Sequence, residues 1–358
     1  MSNLGIIGCG WIVEKAYLPL IAQMDDVNIS AVFDIDYHKA HEFQDKYRVP
    51  NVFDNIDCFL SSPLDAVIVA TPNNTHTYYS NMALNAGKHV LCEKPVAFSK
   101  NDIESTIAIE RNNKKLFFPA FVNRFRKDVR KFSELVALIG EIKEMEVSWI
   151  RKSGIPRPGT WITNKAAAGG GVLIDIGTHV IDIGLHFLLD KRIQAVKFAQ
   201  GTSEQAEQNG AQWNINNDET QQQKFDVETW AKGEILFVNG SILRFNVDWS
   251  SDVNEDITSI KAIGDNGQVI IHTLFGFSNH FTRENIELLY EGIHGEYKKV
   301  LYPMHNTFAL DAFNDMIRFF LDATNRKTTG ILRPSDSMYV VDAIEQLYTS
   351  ISLEQVGL

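Results

Sequence analysis

The run Leu4-Gly5-Ile6-Ile7-Gly8-Cys9-Gly10-Trp11-Ile12, at residues 4–12, decides the fold class. An apolar strand pattern passes into two glycines and then into a helical pattern, which predicts a strand, a tight turn and a helix. Gly8 permits the tight turn, Gly10 lets the backbone approach a pyrophosphate, and the helix N-terminus supplies N–H donors to it. Val13 replaces the third glycine of the G-x-G-x-x-G pattern. This departure weakens the motif and predicts looser packing of the helix on the strand.

A carboxylate is expected about 20 residues after such a turn, where it can accept hydrogen bonds from the ribose diol of an adenosine. Asp34 occupies that position, at the end of the predicted strand Ile29–Phe33. The alternative is that Asp34 is only a turn residue at a strand end. Because its charge would repel a 2′-phosphate, and no Arg or Lys directly follows it, we expect NAD as the cofactor and NADP as the less favoured alternative.

The pattern of strands and helices divides the chain in two. Up to about residue 120, apolar strands such as Ala66–Ala70 alternate with helical patterns, which predicts a parallel sheet. Beyond Arg124, alternating strands joined by turn pairs such as Asn239-Gly240 predict an antiparallel sheet. We therefore expect an α/β protein with an N-terminal Rossmann domain, a doubly wound parallel sheet, at 1–122. A C-terminal α+β domain with a large, mostly antiparallel sheet should occupy 123–358. The sequence leaves open whether the last helices of this domain pack back on the first domain.

Composition narrows the classes of function. The 358 residues carry a net charge of −11, without a Lys/Arg block, so nucleic acid is not an expected partner. The three cysteines form no metal-binding spacing, which predicts reduced thiols, a cytoplasmic location and no metal site. No long uninterrupted apolar run or leader pattern is present, so we expect no membrane association. The polar stretch Ser203–Gln223 predicts a surface excursion.

The segment Glu93-Lys94-Pro95 follows the predicted strand His89–Cys92. The carboxyl ends of strands border the ligand crevice of an open α/β sheet, so Lys94 can reach a bound cofactor there. A lysine at a strand end is more often a solvated surface charge. Pro95 restricts the backbone, however, and Glu93 can neutralise or orient the ammonium group.

A second group of polar residues lies on an otherwise apolar helical pattern after Gly169-Gly170-Gly171. Asp175 and His179 are four residues apart, which places them on one face of an α-helix. Burial of either without a partner would be costly, so the pair is a candidate site, although a lone His on such a helix is more often a core residue. Asp182 and His186 repeat the spacing, and we expect that pair to be structural.

Together these residues fit the transfer of a hydride coupled to that of a proton. Oxidation of a secondary alcohol needs a base for the hydroxyl proton, and the ordinary pKa of a histidine such as His179 suits that task. Lys94 could stabilise the developing alkoxide, and Asp175 could orient the substrate hydroxyls or the imidazole. Which of Lys94 and His179 transfers the proton stays open at this point.

The motifs resemble those of the glucose-fructose oxidoreductase/inositol dehydrogenase (Gfo/Idh/MocA) family over nearly the whole chain. The resemblance rests on residues 5–12, 69–76, 86–95 and 169–179. It implies Lys94 and His179 as the catalytic pair, with Asp175 in catalysis or substrate binding. It further implies cofactor contacts at Gly8, Gly10, Trp11, Ile12, Asp34, Thr71, Pro72, Asn73, His76, Glu93, Lys94 and Asn123. Substrate contacts are implied at Lys94, Arg124, Trp161, Lys165, Asp175 and His179.

The resulting prediction is an NAD(P)-dependent oxidoreductase acting on a secondary hydroxyl or ketone of a sugar, cyclitol or sugar derivative. Lys94 comes from the first domain and His179 from the second, so both domains should contribute to the active site. One alternative is an enzyme that keeps NAD as a resident redox carrier for epimerisation or hydrolysis; another is a non-catalytic sensor of NAD or sugar. An antiparallel sheet with one face free of helices predicts a homodimer or homotetramer.

Overall fold

A parallel sheet organises the N-terminal part of the chain. The computed structural model describes residues 2–203, 225–278, 280–303, 308–325 and 334–356. Apart from Ser203, the polar stretch Ser203–Gln223 lies outside the described residues. The chain forms two units. Unit 1 contains Met1–Val122 and Leu310–Val341, and unit 2 contains Asn123–Ala309 and Asp342–Leu358. The described helical residues 310–324 and 334–341, which the sequence division placed in the second domain, thus belong to unit 1.

Unit 1 has a six-stranded sheet in the order β3-β2-β1-β4-β5-β6, in which every pair of neighbours is parallel. The order reverses between β1 and β4, and ligands bind at such a point outside the carboxyl ends of the strands. The strands are β1 Ser2–Ile7, β2 Val27–Phe33, β3 Asn51–Phe53, β4 Ala66–Val69, β5 His89–Cys92 and β6 Phe117–Pro119. The helices are a π-helical turn Val13–Tyr17, α1 Leu18–Ile21, α2 Tyr37–Tyr47, α3 Ile56–Ser61, α4 His76–Asn85, α5 Lys100–Asn113 and, later in the chain, α9 Phe308–Thr324.

Unit 2 has an eight-stranded sheet in the order β14-β13-β12-β11-β7-β10-β9-β8, antiparallel except for the parallel pair β7 and β10. Along β7 buried residues alternate with more exposed ones, as expected when one face of a sheet is covered. Its strands are β7 Ile142–Ile150, β8 Ile193–Gly201, β9 Trp230–Phe237, β10 Ile242–Asp248, β11 Ile257–Gly264, β12 Gly267–Thr273, β13 Asn285–Gly292 and β14 Tyr297–Pro303. The two sheets confirm the predicted fold class.

The helices of unit 2 include α6 Lys127–Val136 and a long stretch that packs on β7 and β10. That stretch consists of α7 Lys165–Ala168, a π-helical turn Leu173–Gly177 and α8 Thr178–Phe187. Among the described residues it alone is long and apolar enough to cross a membrane, and 78% of its most apolar window is buried inside the protein. The final helix, α10 Pro334–Val356, begins in unit 1 and ends in unit 2.

Candidate active site

The glycine turn after β1 lies at the point where the strand order of unit 1 reverses. Gly8 has φ +98°, a conformation that favours glycine, and its N–H donates to the Phe33 carbonyl at 2.8 Å. A Cβ added to Gly8 would lie 2.5 Å from the carbonyl oxygen of Ala70, which follows β4. At Gly10 the nearest atom to such a Cβ is the same oxygen, at 3.7 Å. Packing within the protein thus requires glycine at position 8, whereas the space beside Gly10 is open to a ligand.

Val13, which replaces the third glycine, is fully buried. The looser packing expected at this position is therefore not observed. Instead the helix takes a π-helical turn over Val13–Tyr17, in which the Leu18 N–H donates to the Val13 carbonyl five residues earlier. Such turns widen a helix by one residue and occur often at functional sites.

Asp34 is buried at the end of β2, and both oxygens of its carboxylate are engaged. Oδ2 accepts the Cys9 N–H of the glycine turn at 2.8 Å, and Oδ1 accepts the Asp36 N–H at 3.0 Å. The Lys39 ammonium lies 3.4 Å from Oδ2. A carboxylate has about four lone-pair sites, so acceptor capacity remains for two ribose hydroxyls. Lys39 was missed by the sequence argument, which considered only the residue directly after Asp34.

The loop after β4 carries several residues expected beside the cofactor. Thr71 and Pro72 lead into a 3₁₀ turn at Asn73–Thr75, and Asn73 is buried. His76 is almost completely buried, with Nδ1 2.7 Å from the Pro95 carbonyl and Nε2 2.8 Å from the Thr71 carbonyl. Burial lowers its pKa. Both ring nitrogens therefore face protein backbone, and His76 joins the loops after β4 and β5; its direct contact with a cofactor stays a prediction.

Glu93 and Lys94 stand at the carboxyl end of β5. Glu93 Oε1 accepts the Tyr17 hydroxyl at 2.7 Å, and Oε2 accepts the Lys94 backbone N–H at 3.2 Å. Burial raises the pKa of Glu93, and it raises that of Tyr17 well above its ordinary value. Glu93 thus orients residue 94 through its backbone and ties it to the helix that follows the glycine turn. The Lys94–Pro95 peptide bond is cis.

In unit 2, Asp175 lies inside the π-helical turn Leu173–Gly177, and His179 is in the first turn of α8. Asp175 is half-buried, and its Oδ2 accepts the indole N–H of Trp249, directly after β10, at 2.9 Å. The His179 ring is buried, with its centroid 5.9 Å from that of Trp149 near the end of β7. Both polar side chains are therefore held against residues from the ends of two neighbouring strands.

Other residues of the protein fill the space beside the glycine triplet that precedes Asp175. Glu228 is buried, and its carboxylate accepts the Gly171 N–H at 2.9 Å and the Leu173 N–H at 3.1 Å. The Tyr348 hydroxyl donates to Glu228 Oε1 at 2.8 Å. Glu228 and Tyr348 were not predicted from the sequence, because no local pattern connects residues so far apart in the chain.

The second pair on this helix is structural in part, as expected. Asp182 forms a buried ion pair with Arg124, whose Nε and Nη2 lie 3.0 and 2.6 Å from Oδ1. Asn123 is also buried, and its carbonyl accepts the Arg126 N–H. The charge of Arg124 is thereby balanced by Asp182, so a role in binding substrate would have to be performed from within this ion pair.

The remaining predicted residues are more exposed. Trp11, at the start of the first helix of unit 1, is 39% exposed, and Ile12 beside it is half-buried. In unit 2, Trp161 is also 39% exposed, at the start of a 3₁₀ turn. Lys165 has an exposed side chain, and its backbone N–H donates to Asp226 at 2.6 Å. Within the described ranges, no group of three or more His, Cys, Asp or Glu is arranged to hold a metal ion.

Two family models match the chain. The first, GFO_IDH_MocA, is described as an oxidoreductase family with an NAD-binding Rossmann fold and matches residues 2–121. The second, a GFO/IDH/MocA C-terminal domain, matches residues 129–270. The D-glucoside 3-dehydrogenase of Escherichia coli (strain K12) is 31% identical over 295 residues, 80% of this chain and 80% of that protein.

Solved structures share the fold. An aldose-aldose oxidoreductase from Caulobacter crescentus, complexed with glycerol, gives a TM-score of 0.78 at 20% identity, covering 98% of this chain and 97% of that one. KijD10, a 3-ketoreductase from Actinomadura kijaniata in complex with NADP and TDP-benzene, gives 0.74 at 20% identity, covering 97% of each chain.

Proposed function

The chain belongs to the Gfo/Idh/MocA family of oxidoreductases, and from that premise we propose that it transfers a hydride between NAD and a secondary hydroxyl or ketone of a sugar, cyclitol or sugar derivative. The observation that carries the proposal is the shared edge of the unit 1 sheet. The glycine turn follows β1, Asp34 directly follows β2, and Lys94 follows β5. Groups suited to a pyrophosphate, a ribose and a reacting oxygen therefore lie at the carboxyl ends of the strands of one parallel sheet.

The residues of unit 1 fit a dinucleotide. Open space beside Gly10 and the remaining lone pairs of Asp34 provide contacts for a pyrophosphate and an adenosine ribose. Thr71, Pro72, Asn73 and Glu93 are proposed to line the rest of the cofactor site. When bound, the nicotinamide accepts or gives the hydride at the substrate carbon.

The protein's own groups handle the proton and the developing charge. In the oxidation direction the carbinol carbon loses a hydride and its oxygen loses a proton. We assign the proton to His179, because histidine is the side chain that most often serves as a general base. The Lys94 ammonium stabilises the developing alkoxide, and Asp175, fixed by Trp249, orients the substrate hydroxyls or the imidazole.

The 3-position of a glucoside is the first substrate position to test, since the relative that is 31% identical is a D-glucoside 3-dehydrogenase. Purified protein is supplied with NAD or NADP and with alkyl glucosides, free aldoses, inositols or nucleotide sugars, and the absorbance of the reduced nicotinamide is followed. We expect reduction of NAD with at least one neutral sugar. Binding of NAD without reduction by any member of the panel would contradict the dehydrogenase and favour a sensor.

Lys94→Met tests the catalytic assignment. Removing a group that stabilises charge in the transition state should lower kcat by about 100-fold or more, with NAD affinity changed by less than about threefold. Lys127→Met, which removes the charge of an exposed lysine at the start of α6, serves as the matched control. Wild-type turnover by Lys94→Met would exclude Lys94 from the reaction.

A further inference from the structure

The helix that carries Asp175 and His179 begins at Val172, after the glycine triplet, and two residues distant in sequence cover its N-terminus. Glu228 accepts the N–H groups of Gly171 and Leu173, which lie at the start of that helix. Tyr348, on α10, donates its hydroxyl to the same carboxylate at 2.8 Å. A negative charge at a helix N-terminus is favourable because it meets the positive end of the helix dipole.

The glycine triplet is shaped by this arrangement. A Cβ on Gly171 would overlap the Glu228 carbonyl oxygen, and a Cβ on Gly170 would overlap the Tyr348 hydroxyl. Both positions therefore have to be glycine for the carboxylate and the hydroxyl to reach the helix. The absence of side chains at positions 170 and 171 thus allows Glu228 and Tyr348 to contact the start of the helix.

The same segment is connected to Asp175 by a second route. The Val172 N–H donates to the Glu228 carbonyl, and the Trp249 N–H donates to the neighbouring Thr229 carbonyl, each at 3.0 Å. Trp249 in turn donates its indole N–H to Asp175. A shift of residues 228–229 would therefore move both the start of the helix and the group that holds Asp175.

We propose that Glu228 and Tyr348 are positioning residues for Asp175 and His179, acting through the helix N-terminus and through Trp249. This inference rests on the proposed function. Glu228 is 7% exposed, and burial raises its pKa as it raises that of Tyr348. The cost of burying this carboxylate is offset by the three groups that donate to it, so its removal should disturb the start of the helix.

The kinetic test compares Glu228→Gln and Tyr348→Phe with the wild type. Glutamine keeps the shape but turns an N–H group toward the Gly171 N–H, and phenylalanine removes only the hydroxyl. A misplacement of about 1 Å at a reacting group can cost about 100-fold, so we expect kcat to fall by about 10- to 100-fold in Glu228→Gln and by about threefold in Tyr348→Phe. NAD affinity should change by less than about twofold, because the cofactor turn lies in unit 1.

Matched controls are Glu234→Gln on β9 and Tyr290→Phe on β13, which remove the same groups elsewhere in unit 2. We expect kcat within about twofold of wild type for both controls. Folded Glu228→Gln and Tyr348→Phe proteins with wild-type kcat would overturn the inference. If no sugar supports turnover by the wild type, the proposed function fails, and the positioning role is decided by a readout that needs no substrate.

That readout is the indole ¹⁵N–H resonance of Trp249, assigned by its loss in Trp249→Phe. Its chemical shift reports the hydrogen bond to Asp175. We expect it to move toward the value of a weaker hydrogen bond in Glu228→Gln and, by a smaller amount, in Tyr348→Phe, with no change in the two controls. An unchanged Trp249 resonance in both variants would overturn the positioning role even if kcat fell. Tyr348→Phe keeps the test decisive where Glu228→Gln does not fold.

Discussion

Replacement of Asp34 by asparagine tests the choice of dinucleotide. The Asp34 carboxylate supports the glycine turn by accepting the Cys9 N–H at 2.8 Å. Asparagine keeps an acceptor for that N–H, removes the charge and places an NH2 group where Oδ1 accepts the Asp36 N–H, whereas alanine would remove the support of the glycine turn as well. Because the hydrogen bond to the glycine turn is kept, a change in the NAD/NADP preference of Asp34→Asn reports mainly the lost charge.

The size of the preference follows from the charges at this position. A phosphate monoester carries about −1.5 to −2 charges. At about 5 Å, with an effective dielectric constant of about 20 to 80, each of those charges interacts with Asp34 by about 1 to 3 kcal/mol. Lys39, 3.4 Å from Asp34 Oδ2 and with its side chain 47% exposed, cancels part of that repulsion through a screened attraction. We expect kcat/KM for NAD to exceed that for NADP by about 10- to 100-fold, or about 1.4 to 2.7 kcal/mol.

The assay measures kcat/KM for NAD and NADP with one sugar at saturation. Asp34→Asn should lower the NAD/NADP ratio by about tenfold or more. Lys39→Gln should raise the ratio by about threefold, because a cation that a 2′-phosphate could use is removed. Lys46→Gln on the same helix, where the lysine pairs with Glu14, should leave the ratio unchanged. A ratio unaffected by Asp34→Asn, or better use of NADP by Lys39→Gln, would refute the electrostatic argument.

Gly8→Ala should abolish NAD binding and lower the free energy of unfolding by about 3 kcal/mol, because the new Cβ would lie 2.5 Å from a backbone oxygen at a residue with φ +98°. The control is Gly240→Ala, which has φ +83° and no atom within 4 Å of the new Cβ, and it should lower the free energy of unfolding by only about 1 kcal/mol. Urea unfolding measures both values, and equal losses would contradict the prediction. Trp249→Phe removes the donor to Asp175 and should lower kcat by about 10- to 100-fold, with a smaller change in KM. An unchanged kcat would contradict the proposal that Asp175, held by Trp249, orients the reacting groups. The pKa of His89 is lowered to about 4 by burial and a neighbouring lysine. As the pH falls, His89 therefore binds a proton in the unfolded chain at a higher pH than in the folded protein. The free energy of unfolding should decline by about 1 to 2 kcal/mol between about pH 6.5 and pH 4, after allowance for partial exposure. In His89→Gln this decline should be smaller.

The central strands of the parallel sheet could be predicted because a strand that is buried on both faces has a continuous run of apolar residues. All four residues of β4, Ala66–Val69, are buried, and they form a continuous apolar run. The edge elements were missed for the opposite reason. The three residues of β3 are exposed or half-buried, and β8, at the edge of the unit 2 sheet, contains no fully buried residue. Without a buried face, neither strand shows the pattern on which the prediction depended.

The candidate site was predictable where chemistry is local and not where it is assembled by tertiary contacts. The glycine turn, Asp34 and Glu93–Lys94 follow strand ends in the chain, so the topology of a parallel sheet brings them to one edge. Glu228 sits in the short stretch before β9, a position that suggests nothing about its role. Only the folded chain places its carboxylate on the helix N-terminus 55 residues away.

The spacing of Asp175 and His179 predicted that the two residues lie on one face of an α-helix. Asp175 lies instead in a π-helical turn, where hydrogen bonds run from i to i+5. Such a turn is rare in isolation, because its bonding pattern is less favourable than that of an α-helix, so surrounding contacts must stabilise it. Glu228 at the helix start and Trp249 on the Asp175 carboxylate supply such contacts. If they sustain the π turn, the loss of Glu228 should alter the position of Asp175 more than that of His179, which lies beyond the turn in regular α-helix. The Trp249 indole resonance of Glu228→Gln should therefore change more than the contact between His179 and Trp149, and an equal change in both would mean that the whole helix is displaced.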